Sequence, residues 1–288
     1  MNIIEINNLT FRYGNKFIYD NFSLNVERGT WVTIAGPNGV GKTTLVKILA
    51  GLEKNYSDVK IFGKKVNKKN IYGIRKEVGF VFDNPDNFFA CETVEDELAF
   101  SLENLAVAPA TIKKKIREIS ELLGINNLLK VNPYELSGGE KQKVALGCAL
   151  MLEPRILILD EALMMVDINQ RKELLKIIKD YNTQKRVTVV SFTHDLDEAL
   201  YSDRLVILNE GKIIIDGAFP KVFDEERVMR KIGLEVPFAV ELSQKLRVYN
   251  LVNKIDLDIE RLVDEVWKWF LETLAFHIIL VCQMKKRL

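Results

Sequence analysis

A glycine-rich stretch carries the clearest chemical pattern in the sequence. Residues 36–43 read GPNGVGKT and match GxxxxGK[ST], between an apolar run that predicts a strand and a run that predicts a helix. Glycines let successive backbone N–H groups converge on phosphate oxygens, and the helix N-terminus adds partial positive charge. Lys42 would place its charge on the outer phosphates, and the Thr43 hydroxyl would bind Mg²⁺. The predicted phosphate-site residues are Gly36, Asn38, Gly39, Gly41, Lys42, Thr43 and Thr44.

Two carboxylates follow an apolar strand further along the chain. Residues 156–161 read ILILDE, so Asp160 ends the predicted strand and Glu161 comes next. Asp160 would reach the Mg²⁺ shell, and Glu161 would orient or deprotonate an attacking water, an assistance typically worth about 10²–10⁴ in rate. Alone, such a pair is a common strand-to-loop transition. With the phosphate loop before it, the pair favours a Mg²⁺ and phosphate site over a plain strand-to-loop transition.

Length and composition limit the kinds of protein that this chain could be. The 288 residues suffice for one large core with a small appendage, and the formal net charge of +1 gives no electrostatic argument for a nucleic-acid partner. The three cysteines, Cys91, Cys148 and Cys282, form no CxxC pair, which argues against a cysteine metal site. The sequence has no run of about eighteen uncharged apolar residues, so work at a membrane would require a partner.

The pattern of predicted elements indicates an α/β fold. Short strands up to residue 34 precede the phosphate loop, a helix over 43–51 and a strand over 78–82. A mainly helical block over 93–150 follows, before strands and helices alternate again. Fully apolar strands separated by helices predict a parallel sheet covered on both faces. The later elements are predicted as strands over 156–159 and 187–192, helices over 169–181 and 195–201, and a hairpin over 205–216.

A third motif narrows the family. Residues 136–142 read LSGGEKQ, and a Ser-Gly-Gly helix start is a good anion site. With the phosphate loop before it and the carboxylates after it, this motif resembles the ATPases of ABC transporters. The resemblance implies a P-loop NTPase (RecA-like) core with an N-terminal antiparallel β subdomain and an inserted helical subdomain over about 84–150. The ATPase domain would cover 1–240, and a C-terminal helical extension would cover 241–288.

The resemblance also assigns roles to single residues. The LSGG residues of one subunit would close on the γ-phosphate held by the other, in a head-to-tail dimer with two ATP molecules at its interface. His194 resembles the switch histidine that contacts the γ-phosphate, and Tyr13 resembles the aromatic residue that stacks on adenine. Asp167 resembles the aspartate that crosses the dimer interface. Each feature also has a purely structural alternative. His194 would be a hydrogen-bonded core or surface histidine, Tyr13 a tyrosine at a strand end, and LSGG an ordinary capped helix start. The LSGG positions are Ser137, Gly138 and Gly139.

Two further segments resemble the ATPases of energy-coupling factor (ECF) transporters, the vitamin and metal-ion importers. They are NPDN at 84–87 with TVED at 93–96, and KIGLEVPF at 231–238. In those importers two ATPases, often non-identical, drive a transmembrane coupling protein that holds a substrate-binding membrane subunit. Residues 83–100, the docking segment, would receive the coupling protein's cytoplasmic helices, with Phe88 and Phe89 exposed; alternatively the two rings tuck into the core. The implied location is peripheral, on the cytoplasmic face of the cell membrane.

Three features depart from the family pattern. Asp83 stands where glutamine is usual, so it would either bind Mg²⁺ or repel the γ-phosphate. Met164 stands where serine is usual, and methionine fills volume without the serine's hydrogen bond. The apolar tail, 267–288, would pack on a partner or on the domain, or lie at a membrane surface.

The alternatives to an importer ATPase are a non-transport ABC ATPase and a degenerate regulatory half of an asymmetric pair. The transported substrate cannot be deduced, because the membrane subunits choose it.

Overall fold

The computed structural model describes residues 1–53, 58–218, 221–256 and 259–271. Strands and helices alternate through most of these ranges. The strands are β1 Asn2–Tyr13, β2 Lys16–Glu27, β3 Trp31–Ala35, β4 Val59–Ile61, β5 Lys64–Lys65, β6 Val78–Val81, β7 Ile156–Asp160, β8 Thr188–Thr193, β9 Arg204–Asn209 and β10 Lys212–Ala218. The helices are α1 Lys42–Leu49, α2 Ile71–Arg75, α3 Val94–Glu103, α4 Pro109–Leu123, α5 Gly138–Met151, α6 Ile168–Lys185, α7 Glu226–Lys231 and α8 Phe238–Val248.

A six-stranded sheet in the order β10-β9-β3-β8-β7-β6 forms the centre of the fold. Strands β9, β3, β8, β7 and β6 are parallel, and β10 returns antiparallel along the β9 edge. Successive residues of β7 enter opposite cores: Leu157 and Leu159 on one face, Ile156 and Ile158 on the other. Burial on both faces explains why the parallel strands are continuously apolar, and it confirms the predicted α/β fold.

A second sheet, in the order β2-β1-β4-β5, is antiparallel and confirms the predicted N-terminal β subdomain. The predicted short strand at Trp31 is confirmed as β3, but the short lengths predicted for the first two strands were wrong, because β1 and β2 each run for 12 residues. Their register shifts several times along the pair, for example between Ile6 and Leu9. Such irregularities break the regular alternation of buried and exposed residues, so the pattern indicated shorter strands than the chain forms.

A block of three helices, α3 to α5, is inserted between β6 and β7, as predicted. The Thr93 hydroxyl accepts a hydrogen bond from Asp96 N and begins α3, while Pro109 occupies the first turn of α4. Gly124 ends α4 in the left-handed conformation. The helix predicted over 195–201 was wrong, since only Glu198–Tyr201 forms a 3₁₀ turn there.

The contacts divide the chain into two compact units, Met1–Phe219 and Pro220–Leu288. This division falls before the predicted boundary at residue 240. One reason is that the Gln244 side chain of α8 donates a hydrogen bond to the Phe223 carbonyl, at 2.9 Å. Ala239, Val252 and Leu262 form a small apolar cluster in the second unit.

Residues 272–288, which hold most of the predicted apolar tail, lie outside the described residues. Among the helices that are described, none is long and apolar enough to cross a membrane.

Candidate functional site

The phosphate loop joins the end of β3 to the start of α1, and close packing dictates its glycines. A Cβ on Gly36 would lie 2.4 Å from the Leu208 carbonyl oxygen. Gly41 caps α1 with φ near 113°, a conformation that side-chain-bearing residues rarely adopt. The buried Tyr19 hydroxyl donates to the Gly41 carbonyl at 2.9 Å. The phosphate loop is therefore fixed by its packing on the central sheet at Gly36 and by the Tyr19 hydrogen bond at Gly41.

Lys42 is folded into its own loop. Its Nζ atom donates to the carbonyl oxygens of Gly36 and Pro37, at 2.6 and 3.2 Å. The same Nζ lies 3.3 Å from Glu161 Oε1, and the lysine side chain is only 5% exposed. The ammonium group thus stands between the phosphate loop and the carboxylates, where a phosphate oxygen would compete with the loop carbonyls for its protons.

Asp160 is a buried carboxylate that lacks a full set of partners. It is 2% exposed, and its Oδ1 atom accepts no hydrogen bond. Burial raises the pKa of Asp160 to about 6, and the neighbouring charges of Asp83 and Glu161 add to the shift. The Thr43 hydroxyl lies against this carboxylate and lowers its pKa. A buried, electron-rich oxygen beside a hydroxyl fits a hard cation such as Mg²⁺, which typically takes one or two protein carboxylates and completes its shell with water and phosphate.

Glu161 and His194 meet at the ends of β7 and β8. His194 Nδ1 lies 2.9 Å from Glu161 Oε2, so the histidine orients this carboxylate. Glu161 itself has φ near 50°, and its N–H donates to the Phe192 carbonyl at 2.9 Å. The other carboxylate oxygen, Oε1, accepts no hydrogen bond despite its proximity to Lys42. A left-handed corner therefore holds a carboxylate with one oxygen free for a ligand.

Asp83 follows β6 and is close enough to Asp160 to raise the pKa of that residue. The Asp83 side chain is exposed, and its Oδ1 accepts a hydrogen bond from Asn84 N at 2.9 Å. Its backbone carbonyl accepts a hydrogen bond from the side chain of Gln142 in α5, at 2.8 Å. Asp83 thus lies near the buried carboxylates, and its contact to Mg²⁺ remains a prediction.

The docking segment is only partly as expected. Phe88 is 54% exposed and stacks on Phe82 with ring centroids 4.6 Å apart. The expectation that Phe89 is also exposed was wrong, since it is 7% exposed. Its ring is packed edge-on against Tyr134, whose hydroxyl donates to the Phe89 carbonyl at 2.9 Å. One ring of the pair therefore faces solvent, while the other anchors the segment.

The LSGG motif begins α5. Ser137 forms a capping box with Glu140, and this pairing lowers the pKa of Glu140. A Cβ on Gly138 would lie 3.3 Å from Met165 Cβ, so within one subunit the motif packs against the loop that follows the carboxylates. Gly139 lies in the same first turn. These positions stay predictions as nucleotide contacts.

The loop that follows the carboxylates, residues 162–167, is called here the interface loop. It ends at Asp167, whose side chain accepts hydrogen bonds from two N–H groups in the first turn of α6. Met164 is 49% exposed, so this departure from the family pattern presents an apolar side chain at the surface. The interface contact predicted for Asp167 requires a second chain and stays a prediction.

Tyr13 lies at the end of β1, beside an open depression of about 880 Å³. Its hydroxyl donates to Glu53 Oε1 at 2.5 Å, and the Thr44 side chain also faces it. The ring is 45% exposed and makes an edge contact with Phe11, with centroids 5.0 Å apart. The exposed ring lies next to the first turn of α1, and its stacking on adenine stays a prediction.

Sequence reasoning missed three supporting residues. Tyr19 holds the phosphate loop, and Gln142 holds the end of β6 through two carbonyl oxygens, those of Phe82 and Asp83. Arg171, in α6, contacts Asp195, which directly follows His194. Only Gln142 had a local signal, since it belongs to the LSGGEKQ motif.

Comparisons with known proteins show which family the chain resembles. The sequence profile of the family described as "ABC transporter" matches residues 19–164. The energy-coupling factor transporter ATP-binding protein EcfA1 of Ligilactobacillus salivarius is 43% identical over 85% of this chain and 88% of its own length. EcfA1 of Geobacillus kaustophilus is 39% identical over 92% of this chain and 96% of its own length.

Solved structures show the same fold. CbiO1 from Clostridium perfringens, described as part of the ABC transporter complex cbiONQ, superposes with a TM-score of 0.71 at 30% identity. That match covers 82% of this chain and 96% of that one. A dimeric ATP-binding cassette in a post-hydrolysis state, bound to ADP and phosphate, gives a TM-score of 0.69 at 26% identity, over 75% of this chain and 98% of its own.

The fold and the site define an ATP-hydrolysing cassette of the ABC transporter type. Within that class, the chain belongs to the family of energy-coupling factor transporter ATP-binding proteins. The predicted family resemblance is confirmed, and so is the predicted fold. The roles of the individual site residues and the domain boundary at residue 240 stay predictions.

Proposed function

We propose that this chain hydrolyses ATP to drive an ECF-type importer through a transmembrane coupling protein. The observation that carries the proposal lies at the C-terminal ends of the central parallel strands, together with the phosphate loop. This region is called here the nucleotide edge. There Lys42, Asp160 and Glu161 are buried together, and one oxygen of each carboxylate accepts no hydrogen bond. Burying charged oxygens without hydrogen bonds is costly, and a ligand that completes their interactions would offset that cost.

The residues at this edge divide the work. The phosphate loop and Lys42 bind the β- and γ-phosphates, and Tyr13 stacks on the adenine. Thr43 and Asp160, with Asp83 at the edge, hold Mg²⁺, which when bound supplies positive charge against the phosphate oxygens. Glu161 orients or deprotonates the water, and His194 holds the Glu161 carboxylate and contacts the γ-phosphate. Ser137, Gly138, Gly139 and Asp167 act across the interface with a second ATPase subunit.

The docking segment gives this chain its proposed membrane partner. It begins at Asp83, beside the carboxylates, and extends to the exposed rings of Phe88 and Phe100. Lys141 of α5 pairs with Asp86 at 2.8 Å, so the helix that begins with LSGG is tied to the same segment. In this proposal the chain lies peripherally on the cytoplasmic face of the membrane, and it reaches the substrate-binding subunit only through the coupling protein.

Capture from membranes tests the partner directly. A tagged chain, purified after detergent solubilisation of its host's membranes, should bring down a transmembrane protein and a second ATPase. Phe88→Ala should reduce recovery of the transmembrane protein while ATP binding is retained, and Tyr72→Ala, at an exposed ring of α2 outside the docking segment, should not reduce it. Recovery of the ATPases alone would favour the non-transport alternative.

Asp83 and Met164 support a second, narrower proposal, that this chain is one half of an asymmetric pair. Both stand where the family pattern has another residue, and Met164 is exposed on the interface loop. The ATPase rate of the chain alone should be well below the rate with the partner ATPase. Full activity as a homodimer would overturn this proposal, and absence of any contribution to hydrolysis in the pair would favour a regulatory subunit.

A further inference from the structure

Arg171 stands where the interface loop passes into α6. Its N–H donates to the Asp167 carbonyl at 2.8 Å, as expected in a first helical turn. Its side chain turns inward and is only 21% exposed. An arginine this far from solvent needs acceptors for its guanidinium, and the acceptors it uses lie on two different loops.

The first set of acceptors belongs to the interface loop. Arg171 Nη2 lies 3.5 Å from the Met164 carbonyl oxygen and 3.4 Å from the Val166 carbonyl oxygen. These distances are long for hydrogen bonds, so each contact is weak by itself. Together they place one end of the guanidinium beneath the part of the loop that a second subunit would approach.

The second acceptor belongs to the loop that carries His194. Arg171 Nη1 donates to Asp195 Oδ2 at 2.6 Å, and Asp195 is the residue directly after the histidine. Asp195 is fixed in turn, because its N–H donates to the Thr193 hydroxyl at 3.0 Å and its Oδ1 accepts from Asp197 N at 2.9 Å. A shift of Arg171 would therefore be passed to the end of β8 rather than absorbed by a free side chain.

A neighbouring carboxyl does not compete strongly for the arginine. Glu198 is 3% exposed, and burial raises its pKa to about 8, with the Asp195 charge adding to the shift. A carboxyl that keeps its proton at neutral pH leaves Asp195 as the anionic partner of Arg171. The planar fork of an arginine can bond to this carboxylate and to the loop carbonyls at once, whereas a lysine ammonium is a single point charge.

We propose that Arg171 is a positioning residue that connects the interface loop to His194. Contact of a second subunit with the interface loop would act through the guanidinium on Asp195, and so on the ring that holds Glu161 at 2.9 Å. Closure of the dimer would then align the histidine with the carboxylate and the γ-phosphate. This inference rests on the proposed function, because it requires a second ATPase at the interface loop.

A mutant cycle on ATP hydrolysis tests the link to the histidine. Arg171→Ala should lower kcat by about tenfold to a hundredfold, as expected for misplacement of a catalytic group, and leave the KM for ATP within about twofold. Arg171→Lys should retain the fold and show a smaller loss. Lys176→Ala, which removes an exposed charge from the same helix, should change neither constant. In a His194→Ala background, Arg171→Ala should cause no additional loss. An equal loss in both backgrounds would overturn the inference.

A spectroscopic measurement tests the same link without turnover. The chain has two histidines, His194 and His277, so isotope-labelled imidazole signals are assigned by comparison with His194→Ala. Arg171→Ala should shift or broaden the His194 signal and leave that of His277 in place, while Lys176→Ala should move neither. An unmoved His194 signal in Arg171→Ala would overturn the inference whether or not ATP is hydrolysed. Absence of hydrolysis by the wild type, alone and with its partner, would instead overturn the proposed function.

Discussion

The nucleotide edge of the sheet and the docking segment lie next to each other but satisfy their polar groups in opposite ways. At the nucleotide edge, Asp160 Oδ1 and Glu161 Oε1 are buried without hydrogen-bond partners. In the docking segment, no fully buried side-chain polar atom lacks a hydrogen bond. The first region is incomplete without a charged ligand. The second is complete by itself and leaves apolar rings exposed.

Glu97 shows how the docking segment reaches that completeness. It is 7% exposed, and its Oε2 accepts hydrogen bonds from the N–H groups of Ala90 and Cys91, both at 2.9 Å. The loop before α3 is thereby fixed to the helix. A rigid segment passes on a displacement at its Asp83 end, whereas a loose one would absorb it. The contrast therefore separates the nucleotide edge, which is proposed to bind ATP, from the docking segment, which is proposed to transmit a displacement to the membrane partner.

The largest expected effect comes from removing the charge at the nucleotide edge. Lys42→Ala should lower ATP hydrolysis by at least about a hundredfold, because it removes the cation that faces the phosphates in a site sheltered from water. A coupled-enzyme assay measures the rate, and Lys47→Ala, an exposed lysine on the same helix, serves as the control. Equal rates of ATP hydrolysis in Lys42→Ala and Lys47→Ala would contradict the proposal that the nucleotide edge is the site of hydrolysis.

The next effect concerns stability rather than chemistry. Glu97→Ala should lower the free energy of unfolding by about 2–4 kcal/mol, since it leaves two backbone N–H groups without their acceptor. Urea unfolding measures this change, and Glu92→Ala, an exposed neighbour, should stay within about 0.5 kcal/mol of the wild type. ATP affinity should be retained in Glu97→Ala. Loss of ATP binding without loss of stability would contradict the division between the two regions.

A pH-dependent effect on stability is expected at Glu198, behind the nucleotide edge. Because burial raises its pKa to about 8, the folded state keeps the proton over a range in which the unfolded state releases it. Glu198 therefore destabilises the fold progressively as the pH rises from about 4.5 to 8. Glu198→Gln should remove this contribution.

Unfolding curves at pH 5 and pH 8 measure the Glu198 effect. Relative to the wild type, Glu198→Gln should gain more stability at pH 8 than at pH 5. Glu173→Gln, an exposed site on α6, should show the same small difference at both values. A gain for Glu198→Gln that is independent of pH would contradict a buried, protonated carboxyl at this position.

Local patterns were sufficient for the elements that position the site. The apolar runs around Ile158 and Val190 predicted parallel strands because both faces of each strand are buried, and a motif of fixed spacing predicted the phosphate loop. The carboxylates followed from their place at a strand end, since parallel strands bring such residues to one end of a sheet, whereas His194 followed from the family resemblance. Chemistry that depends on short motifs was therefore visible in the sequence.

Contacts between distant segments were not visible. Tyr19 meets Gly41 only after β2 has packed beside the phosphate loop, and Arg171 meets Asp195 only after β8 and α6 are in place. Phe88 and Phe89 are identical in type and adjacent in sequence. Their different exposure is set by Phe82 on one side and Tyr134 on the other. Burial of this kind is decided by tertiary packing, which one segment's composition does not encode.

The most direct test of the account is the rate of ATP hydrolysis by complexes captured from membranes through this chain, as wild type and as Glu161→Gln. The account predicts that the wild-type complex turns over ATP, and that the variant binds ATP but hydrolyses it at least about a hundredfold more slowly. Glu153→Gln, an exposed carboxylate outside the site, should match the wild type. Equal turnover in the wild type and Glu161→Gln would contradict the central claim that the Glu161 carboxylate acts on the water.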